Sequence, residues 1–390
     1  MPWAASTPAR KRLRLGLLRL AARGLERLVQ PRPRRVERVL LLRPDHIGDV
    51  LLGASAVALL RASLPSARLT YLVGPWSADA ARRGPHVDQV DTLAYPGFTR
   101  DRKTHLLAPY ALLARQAARL RRERYDLAIV FRDDHWWGAL LALGAGIPLR
   151  VGGSTPETLP LLTHTCALPS NTPAAERALG IAHRALAAVG IVPMEVGDVP
   201  QFTVSPAAHT QAAQVWQRHG LGKRVVAIHP NAGAPLKSWP VERWARLADA
   251  LHERGLEVVI VGAPDDATLL GSISARMREC ASVLCGQSLE VSAAVYARCE
   301  LVVTVDSGAG HLAAAAGTPT VRLYGPAPAS VFGPWPPRSS QRVLVTRRLA
   351  CAPCGDLQSP PCGVMASPAC MLALGVDEVL NAIKAELDRS

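Results

Sequence analysis

A turn that could bind a phosphate group follows a strongly apolar segment of the chain. The run Leu301–Val305 ends at Asp306-Ser307-Gly308, and an alanine-rich stretch that begins near His311 comes next. A β-branched run that breaks at small and polar residues predicts a strand, a tight turn and a helix. The first amides of such a helix are unpaired and partly positive, so they can bind an anion. A carboxylate, a hydroxyl and an imidazole at this turn therefore predict a phosphorylated ligand.

A second loop after an apolar run could contribute to the same kind of site. Small side chains there would let backbone amides approach an anion, and a lysine would add a point charge. These residues are Asn231, Ala232, Gly233 and Lys237. The following Trp239-Pro240 is typical of a helix start. The alternative is an ordinary loop with a solvated lysine.

A candidate general base stands after the first apolar run. In Arg43-Pro44-Asp45-His46-Ile47-Gly48-Asp49, Gly48 permits a turn and Asp49 would then begin a helix. An aspartate at that position is often only a helix cap. The functional interpretation is a base that faces a ligand. Asp45 and His46 are alternatives that fit ordinary loop residues better.

A dinucleotide-binding interpretation has less support. Residues Gly308–Ala313 satisfy G-x-G-x-x-A, but that motif requires an acidic residue at the end of the next strand. The next apolar run, Thr320–Tyr324, has none. A nicotinamide or flavin cofactor is therefore disfavoured.

The last four cysteines raise the question of a metal site. Cys351 and Cys354 form a C-x-x-C pair, whereas Cys362 and Cys370 lack that spacing. Four thiols could bind zinc or an iron–sulfur cluster. The preferred interpretation is a free-thiol loop packed on the second half of the chain. No export signal precedes the cysteines, so a reducing cytoplasm is expected.

Strand and helix patterns alternate through two parts of the chain, which predicts an α/β fold with doubly wound parallel sheets. Residues 36–200 form the first predicted domain and residues 201–390 the second, with Pro193–Pro206 as a linker. Predicted strands are Arg38–Leu42, Arg68–Val73, Gln89–Leu93, Asp126–Phe131, Leu149–Gly152, Arg224–His229, Glu257–Val261, Ser282–Leu284, Leu301–Val305 and Thr320–Tyr324. Predicted helices are Asp49–Ser63, His105–Arg122, Asp134–Gly144, Pro173–Val189, Val241–Glu253, Asp265–Glu279, Leu289–Arg298, Gly310–Ala316 and Val376–Leu387. Ligands are expected at the carboxyl ends of the strands, in a cleft between the domains.

The formal net charge of +14 is concentrated near the beginning of the chain. Residues 1–35 form a basic extension in which leucines recur at helical spacing. One interpretation is an amphipathic helix on an anionic membrane surface, and the other is a solvated extension. The apolar run is too short and too charged to span a bilayer or to be a signal peptide. Nucleic acid is disfavoured as a partner because few aromatic residues interleave with the arginines.

Taken together, the motifs resemble glycosyltransferase family 9, the ADP-heptose:lipopolysaccharide heptosyltransferase family. The resemblance rests on Ile47-Gly48-Asp49, Lys237-x-Trp239-Pro240, Asp306-Ser307-Gly308-x-x-His311 with its alanines, Leu323-Tyr324-Gly325-Pro326 and the terminal cysteine pattern. It extends from about Val36 to the end of the chain.

The resemblance implies a GT-B fold with two Rossmann-like domains and an inverting, metal-independent transfer of heptose from ADP-heptose to the lipid-linked lipopolysaccharide core. Asp49 matches the catalytic base and Lys237 the lysine on the donor diphosphate. Asn231, Ala232 and Gly233 match a phosphate-contacting loop that lacks the family's hydroxyl groups here, and Gln287 loosely matches the nucleobase region. Asp306, Ser307, Gly308 and His311 match the donor-binding turn.

Other functions stay open at this point. The same enzyme type could use a different donor sugar or a different surface-glycan acceptor. A non-catalytic scaffold that binds a sugar nucleotide, and a sugar-nucleotide epimerase on the same fold, are alternatives. The expected location is the cytoplasmic face of the inner membrane, with peripheral attachment. No cofactor is expected.

Overall fold

The computed structural model describes residues 8–99, 107–197, 201–337, 339–345 and 349–389. The chain divides into two compact units, and the boundary falls between Gln201 and Phe202. Each unit has its own apolar core built around a parallel sheet.

The first unit contains a six-stranded parallel sheet in its described residues. Its order is β3-β2-β1-β4-β5-β6, with β1 and β4 side by side near the middle. The central strands are almost fully buried, as expected when helices cover both faces of a parallel sheet. The strands are β1 (Arg38–Arg43), β2 (Arg68–Val73), β3 (Gln89–Thr92), β4 (Leu127–Val130), β5 (Leu149–Gly153) and β6 (His164–Cys166).

One predicted helix of the first unit is in fact two helices. The predicted helix Asp49–Ser63 is two helices that meet at Gly53. A Cβ on Gly53 would lie 2.7 Å from Nη1 of Arg43, so a larger residue here would displace that guanidinium. The helices are α1 (Pro8–Leu25), α2 (Ile47–Leu52), α3 (Ala54–Ser63), α4 (Ala78–Arg83), α5 (Ala108–Glu123), α6 (Trp136–Gly144) and α7 (Ala174–Ala188). The first two residues of the predicted helix His105–Arg122 lie outside the described residues.

The second unit repeats this topology. The described part of its sheet also has six parallel strands, in the order β9-β8-β7-β10-β11-β12, so its first strand again lies beside its fourth. The strands are β7 (Val225–His229), β8 (Glu257–Gly262), β9 (Ser282–Cys285), β10 (Leu301–Val305), β11 (Thr320–Tyr324) and β12 (Gln341–Val345). The helices are α8 (Pro206–Arg218), α9 (Val241–His252), α10 (Ala267–Ser274), α11 (Leu289–Tyr296), α12 (Gly308–Ala315), α13 (Ala329–Phe332), α14 (Ala369–Leu372) and α15 (Val376–Leu387).

Several elements were absent from the sequence prediction. The edge strands β6 and β12 are only half-buried, and they lack the apolar runs that identify central strands. Helix α8 begins at Pro206, the last residue of the predicted linker, and the Ser205 hydroxyl accepts a hydrogen bond from the amide of Ala208. Helix α12 begins at Gly308, two residues before its predicted start.

The basic beginning of the chain is helical where the structure describes it. Helix α1 packs beside α6, and Leu18 and Ala22 are buried in the core of the first unit. Among the described residues, no helix combines the length and the apolar character that crossing a bilayer requires.

Candidate functional site

The predicted ligand-binding loops of the second unit follow two neighbouring strands. The Asn231–Lys237 loop comes after β7, and the Asp306–His311 turn comes after β10. These strands pair in parallel, so both loops leave the same edge of the sheet. The chain continues from β7 to β8 on one side, while β10 lies on the other. Such a switch in strand order is where ligands bind in open α/β sheets.

An ion pair joins these two loops. Nζ of Lys237 lies 2.6 Å from Oδ2 of Asp306. Asp306 is buried, whereas the lysine side chain keeps partial access to solvent. The carboxylate therefore holds the ammonium group beside the beginning of α12.

The beginning of α12 leaves its amides available. Ser307 occupies the N-cap position, yet its side chain caps no amide in the described structure. Its hydroxyl lies 3.0 Å from the Thr304 hydroxyl instead. The first-turn N–H groups, from Gly308 onward, thus retain the partial positive charge that attracts an anion.

Gly310 allows α12 to lie close to the sheet. A Cβ at this position would be 3.0 Å from Nε of Arg322 and 3.0 Å from Cγ2 of Thr304. Both neighbours are buried, so they have little room to move away. Glycine is therefore required for the observed position of the turn.

His311 is buried against a buried arginine. Nη1 of Arg322 lies 3.3 Å from Nδ1 of His311, and the same guanidinium donates to the Thr320 hydroxyl and to Oε1 of Gln341. Burial, with the charges of Arg322 and Lys237, places the pKa of His311 well below its usual value. His311 is therefore neutral at pH 7, with Nδ1 accepting from Arg322.

The other predicted donor-loop residues differ in what they contact. Asn231 donates from Nδ2 to Asp266 and accepts at Oδ1 from the Ala232 amide, which is thereby used within the loop. Gly233 is exposed. Gln287 follows β9, two strands from β7 along the same sheet edge, and is half-buried.

Two tryptophans fix the lysine loop. Trp239 is buried and donates from Nε1 to the carbonyl of Leu374, 3.0 Å away. Its ring packs edge-on against Trp244 of α9, with centroids 4.9 Å apart. Arg243 donates to the same carbonyl of Leu374. Lys237 thus stands on a loop that is anchored to the segment before α15.

In the first unit, Asp49 is the third residue of α2 and is half-buried. A carboxylate there favours the helix N-terminus electrostatically, which is the structural alternative to a catalytic role. Its charge also acts on Tyr71 of β2. The pKa of Tyr71 is raised to about 12, mainly because the hydroxyl is buried. The negative charges of Asp45 and Asp49 add to this shift, and the positive charge of Arg43 opposes it.

A buried ion network that the sequence analysis missed lies near Asp49. Asp45 is buried. Its Oδ1 lies 2.6 Å from Nη1 of Arg132, and its Oδ2 lies 3.6 Å from Nε of Arg43. Burial alone would raise the pKa of Asp45, but Arg132 and Arg43 outweigh it and keep the pKa below its usual value. Asp45 is therefore committed to arginines and unsuited to act as a base.

His135 lies beside this network in an aromatic pocket. The rings of Tyr95 and Phe98 stand 5.2 Å and 5.7 Å from it, centroid to centroid. Neither ring nitrogen has a hydrogen-bond partner among the described residues. Burial lowers the pKa of His135 to about 4, so the imidazole is neutral at pH 7.

The terminal cysteines pack against the end of β11. A Cβ on Gly325 would lie 2.6 Å from the sulfur of Met371 and 3.1 Å from that of Cys370. Burial raises the pKa of Cys370, to which Cys354 and Cys362 also contribute. Within the described ranges all eight cysteines are free thiols, and no group of three or more His, Cys, Asp or Glu side chains is placed to hold a metal ion.

The two Rossmann-like units, each built on a six-stranded parallel sheet, have the GT-B fold of glycosyltransferases. Residues 113–361 match the family model for glycosyltransferase family 9 (heptosyltransferase). The chain belongs to this family, and it is a glycosyltransferase.

Known relatives cover most of the chain. Lipopolysaccharide heptosyltransferase 2 of Escherichia coli K12 is 26% identical over 302 residues, which are 74% of this chain and 83% of the relative. The structure of E. coli ADP-heptose lps heptosyltransferase II is similar with a TM-score of 0.70 and 23% identity, covering 90% of this chain and 99% of the other. A family 9 glycosyltransferase from Veillonella parvula has a TM-score of 0.71 at 22% identity, with 91% and 98% covered.

Proposed function

We propose that this glycosyltransferase moves a heptose from ADP-heptose to a lipid-linked lipopolysaccharide core acceptor, with inversion at the anomeric carbon and without a metal ion. The observation that carries the proposal is the Lys237–Asp306 pair beside the uncapped beginning of α12. The names of the relatives support the sugar, the nucleotide and the acceptor.

The second unit would bind the donor diphosphate. Lys237 supplies a cation, and the first amides of α12 supply partial positive charge toward the same place. As the sugar–oxygen bond breaks, negative charge gathers on the departing diphosphate, and preformed donors stabilise it most in that state. Asp306 orients the lysine, and Gly310 sets the depth of the turn. Asn231, Gly233 and Gln287 would surround the rest of the nucleotide.

Asp49 would act as the general base. Inversion requires a base that removes the acceptor hydroxyl proton on the face opposite the leaving group. Asp49 is half-buried, and its neighbour Asp45 is neutralised by two arginines. Because these arginines hold Asp45, Asp49 is the carboxylate of this loop that we propose as the base.

The reaction would take place at the cytoplasmic face of the inner membrane, with the enzyme attached peripherally. An acceptor carried by a lipid is presented at a bilayer surface. The basic beginning of the chain supports attraction to anionic lipids.

A donor screen tests the proposal directly. The full chain is incubated with ADP-heptose, ADP-glucose or UDP-glucose, with and without a lipid-linked core acceptor, and products are followed by mass spectrometry. We expect acceptor-dependent ADP release and an acceptor that gains one heptose. Transfer from another sugar nucleotide would establish a different donor, binding without transfer would indicate a scaffold, and an altered sugar without acceptor would indicate an epimerase.

The stereochemistry and the metal requirement need separate measurements. The anomeric configuration of the product, read by NMR, should be opposite to that of the donor. Turnover should be unchanged by EDTA. A product that retains configuration would remove Asp49 from the role of base in a single displacement.

A further inference from the structure

Helix α1 presents leucines on two different faces. Leu18 and Ala22 point into the core of the first unit and are 4% and 6% exposed. Leu13, Leu17 and Leu20 are 66%, 58% and 67% exposed. Their spacing of four and three residues places these three on one side of the helix. We call them the outer leucine stripe.

The outer leucine stripe is held in place because the inner face of α1 is fixed to the unit. Nη2 of Arg14 lies 2.9 Å from Oε1 of Glu157, and its guanidinium stands 6.0 Å from the ring centroid of Trp136. Just beyond the helix, Glu26 pairs at 2.7 Å with Arg150, which is buried. The stripe therefore cannot turn inward without breaking these contacts.

Arginines border the outer leucine stripe. Arg12, Arg19 and Arg23 are exposed, and their spacing of seven and four residues places them along one side of the helix next to the leucines. Residues 8–25 include no aspartate or glutamate. Leucines beside arginines, with no acidic residue, match the apolar interior and anionic headgroups of a bilayer surface. A nucleic acid would use the arginines but leave the leucines exposed.

We propose that α1 docks the first unit onto an anionic lipid bilayer, lying in the membrane plane with the outer leucine stripe inserted below the headgroups. Arg12, Arg19 and Arg23 extend their side chains to the lipid phosphates. The proposal rests on the proposed function only in that a lipid-linked acceptor requires the enzyme at a membrane. The docking surface itself is defined by α1.

Vesicle flotation with the full chain tests the docking. Vesicles contain phosphatidylcholine alone, or phosphatidylcholine with one quarter phosphatidylglycerol. The variants are L13Q/L17Q/L20Q and R12Q/R19Q/R23Q. The matched control, V192Q/M194Q, changes exposed apolar residues elsewhere in the first unit. We expect wild type and control to bind the anionic vesicles, and each triple variant to lose at least tenfold in partitioning.

Folding and catalysis are measured on the same samples. The altered side chains point outward, so thermal unfolding of the leucine variant should match wild type. Its activity on a soluble, deacylated acceptor should also match, while activity on vesicle-bound acceptor falls. Vesicle binding by a chain that is inactive with every donor would support the docking and reject the proposed function.

Three results would overturn the docking proposal. The leucine variant could float with anionic vesicles as well as wild type does. Binding would then depend on charge alone and not on insertion of the outer leucine stripe. Wild type could be active on the soluble acceptor and fail to bind vesicles. Sedimentation could show that wild type is a dimer and the leucine variant a monomer, while wild type binds no vesicles. That result would assign the outer leucine stripe to contact with a second copy of the chain.

Discussion

Nζ of Lys237 and Oδ2 of Asp306 lie 2.6 Å apart, although the two residues are far apart in the sequence, because the strands that precede them are neighbours in one sheet. The buried carboxylate restrains the long lysine side chain. A cation restrained in this way would lose less freedom on binding a diphosphate, which would favour the proposed role of Lys237.

Replacing Lys237 with methionine should impair both donor binding and turnover. Removing one preorganised donor at a developing charge costs about 10²–10³ in turnover. We expect that loss in kcat and a higher donor KM, measured by ADP release. K223M is the matched control, since Lys223 is an exposed lysine of the same unit. Equal loss in both variants would refute a specific role for Lys237.

Asp49→Asn should abolish proton removal and leave the donor site intact. General-base catalysis typically contributes about 10²–10⁴ in rate. We therefore expect at least a hundredfold lower turnover, with ADP affinity by calorimetry unchanged. D79N alters an exposed aspartate of α4 and should retain full activity. Turnover of D49N near the wild-type rate would show that Asp49 serves only the helix N-terminus.

His135 should make the first unit sensitive to mild acid. Its pKa is lowered to about 4 in the folded state from an ordinary value of 6.5. Between these two pKa values the unfolded chain binds a proton at His135 that the folded chain does not. The free energy of unfolding is therefore unaffected by His135 above pH 6.5. It falls by about 3 kcal/mol as the pH is lowered to 4, at 1.36 kcal/mol per pKa unit.

The H135F variant tests this pH dependence. Phenylalanine suits the pocket formed by Tyr95 and Phe98 and removes two nitrogens that lack partners in the described structure. Urea unfolding should show equal or greater stability at pH 7 and a smaller decline down to pH 4.5. The exposed H209Q should decline as wild type does. A parallel decline of H135F and wild type would contradict the assignment.

Gly310→Ala should displace the beginning of α12. The added methyl group would press on Arg322 and Thr304, and such overpacking typically costs about 1–3 kcal/mol. Donor affinity should fall with stability. In G271A the new methyl group meets no described atom within 4 Å, and α10 should gain about 0.5–1 kcal/mol from the better helix former. Thermal melts and ADP titrations of both variants make the comparison.

The central strands were predictable because a strand that is buried on both faces has an almost continuous run of apolar residues. Leu301–Val305 and Thr320–Tyr324 were predicted to the residue and are confirmed as β10 and β11. The edge strands β6 and β12 have no such apolar run, so the sequence did not indicate them. The break at Gly53 was missed because the apolar pattern continues across it, whereas the Arg43 side chain that lies against Gly53 comes from another element.

The sequence indicated only those parts of the candidate site whose residues share one loop. The turn after β10 and the lysine loop after β7 were recognised, and topology places them side by side. The Asp45–Arg132 pair spans 87 residues, so no local pattern could reveal it. The partner of His311 was also hidden, since Arg322 lies within a strand that reads as apolar.

The bond from Trp239 to the carbonyl of Leu374 reaches across 135 residues of chain. A ribosome must therefore synthesise the chain beyond Leu374 before the tryptophan finds its acceptor. The lysine two residues earlier is therefore anchored late in synthesis, and a growing chain carries the complete β7 strand before the Lys237 loop is fixed.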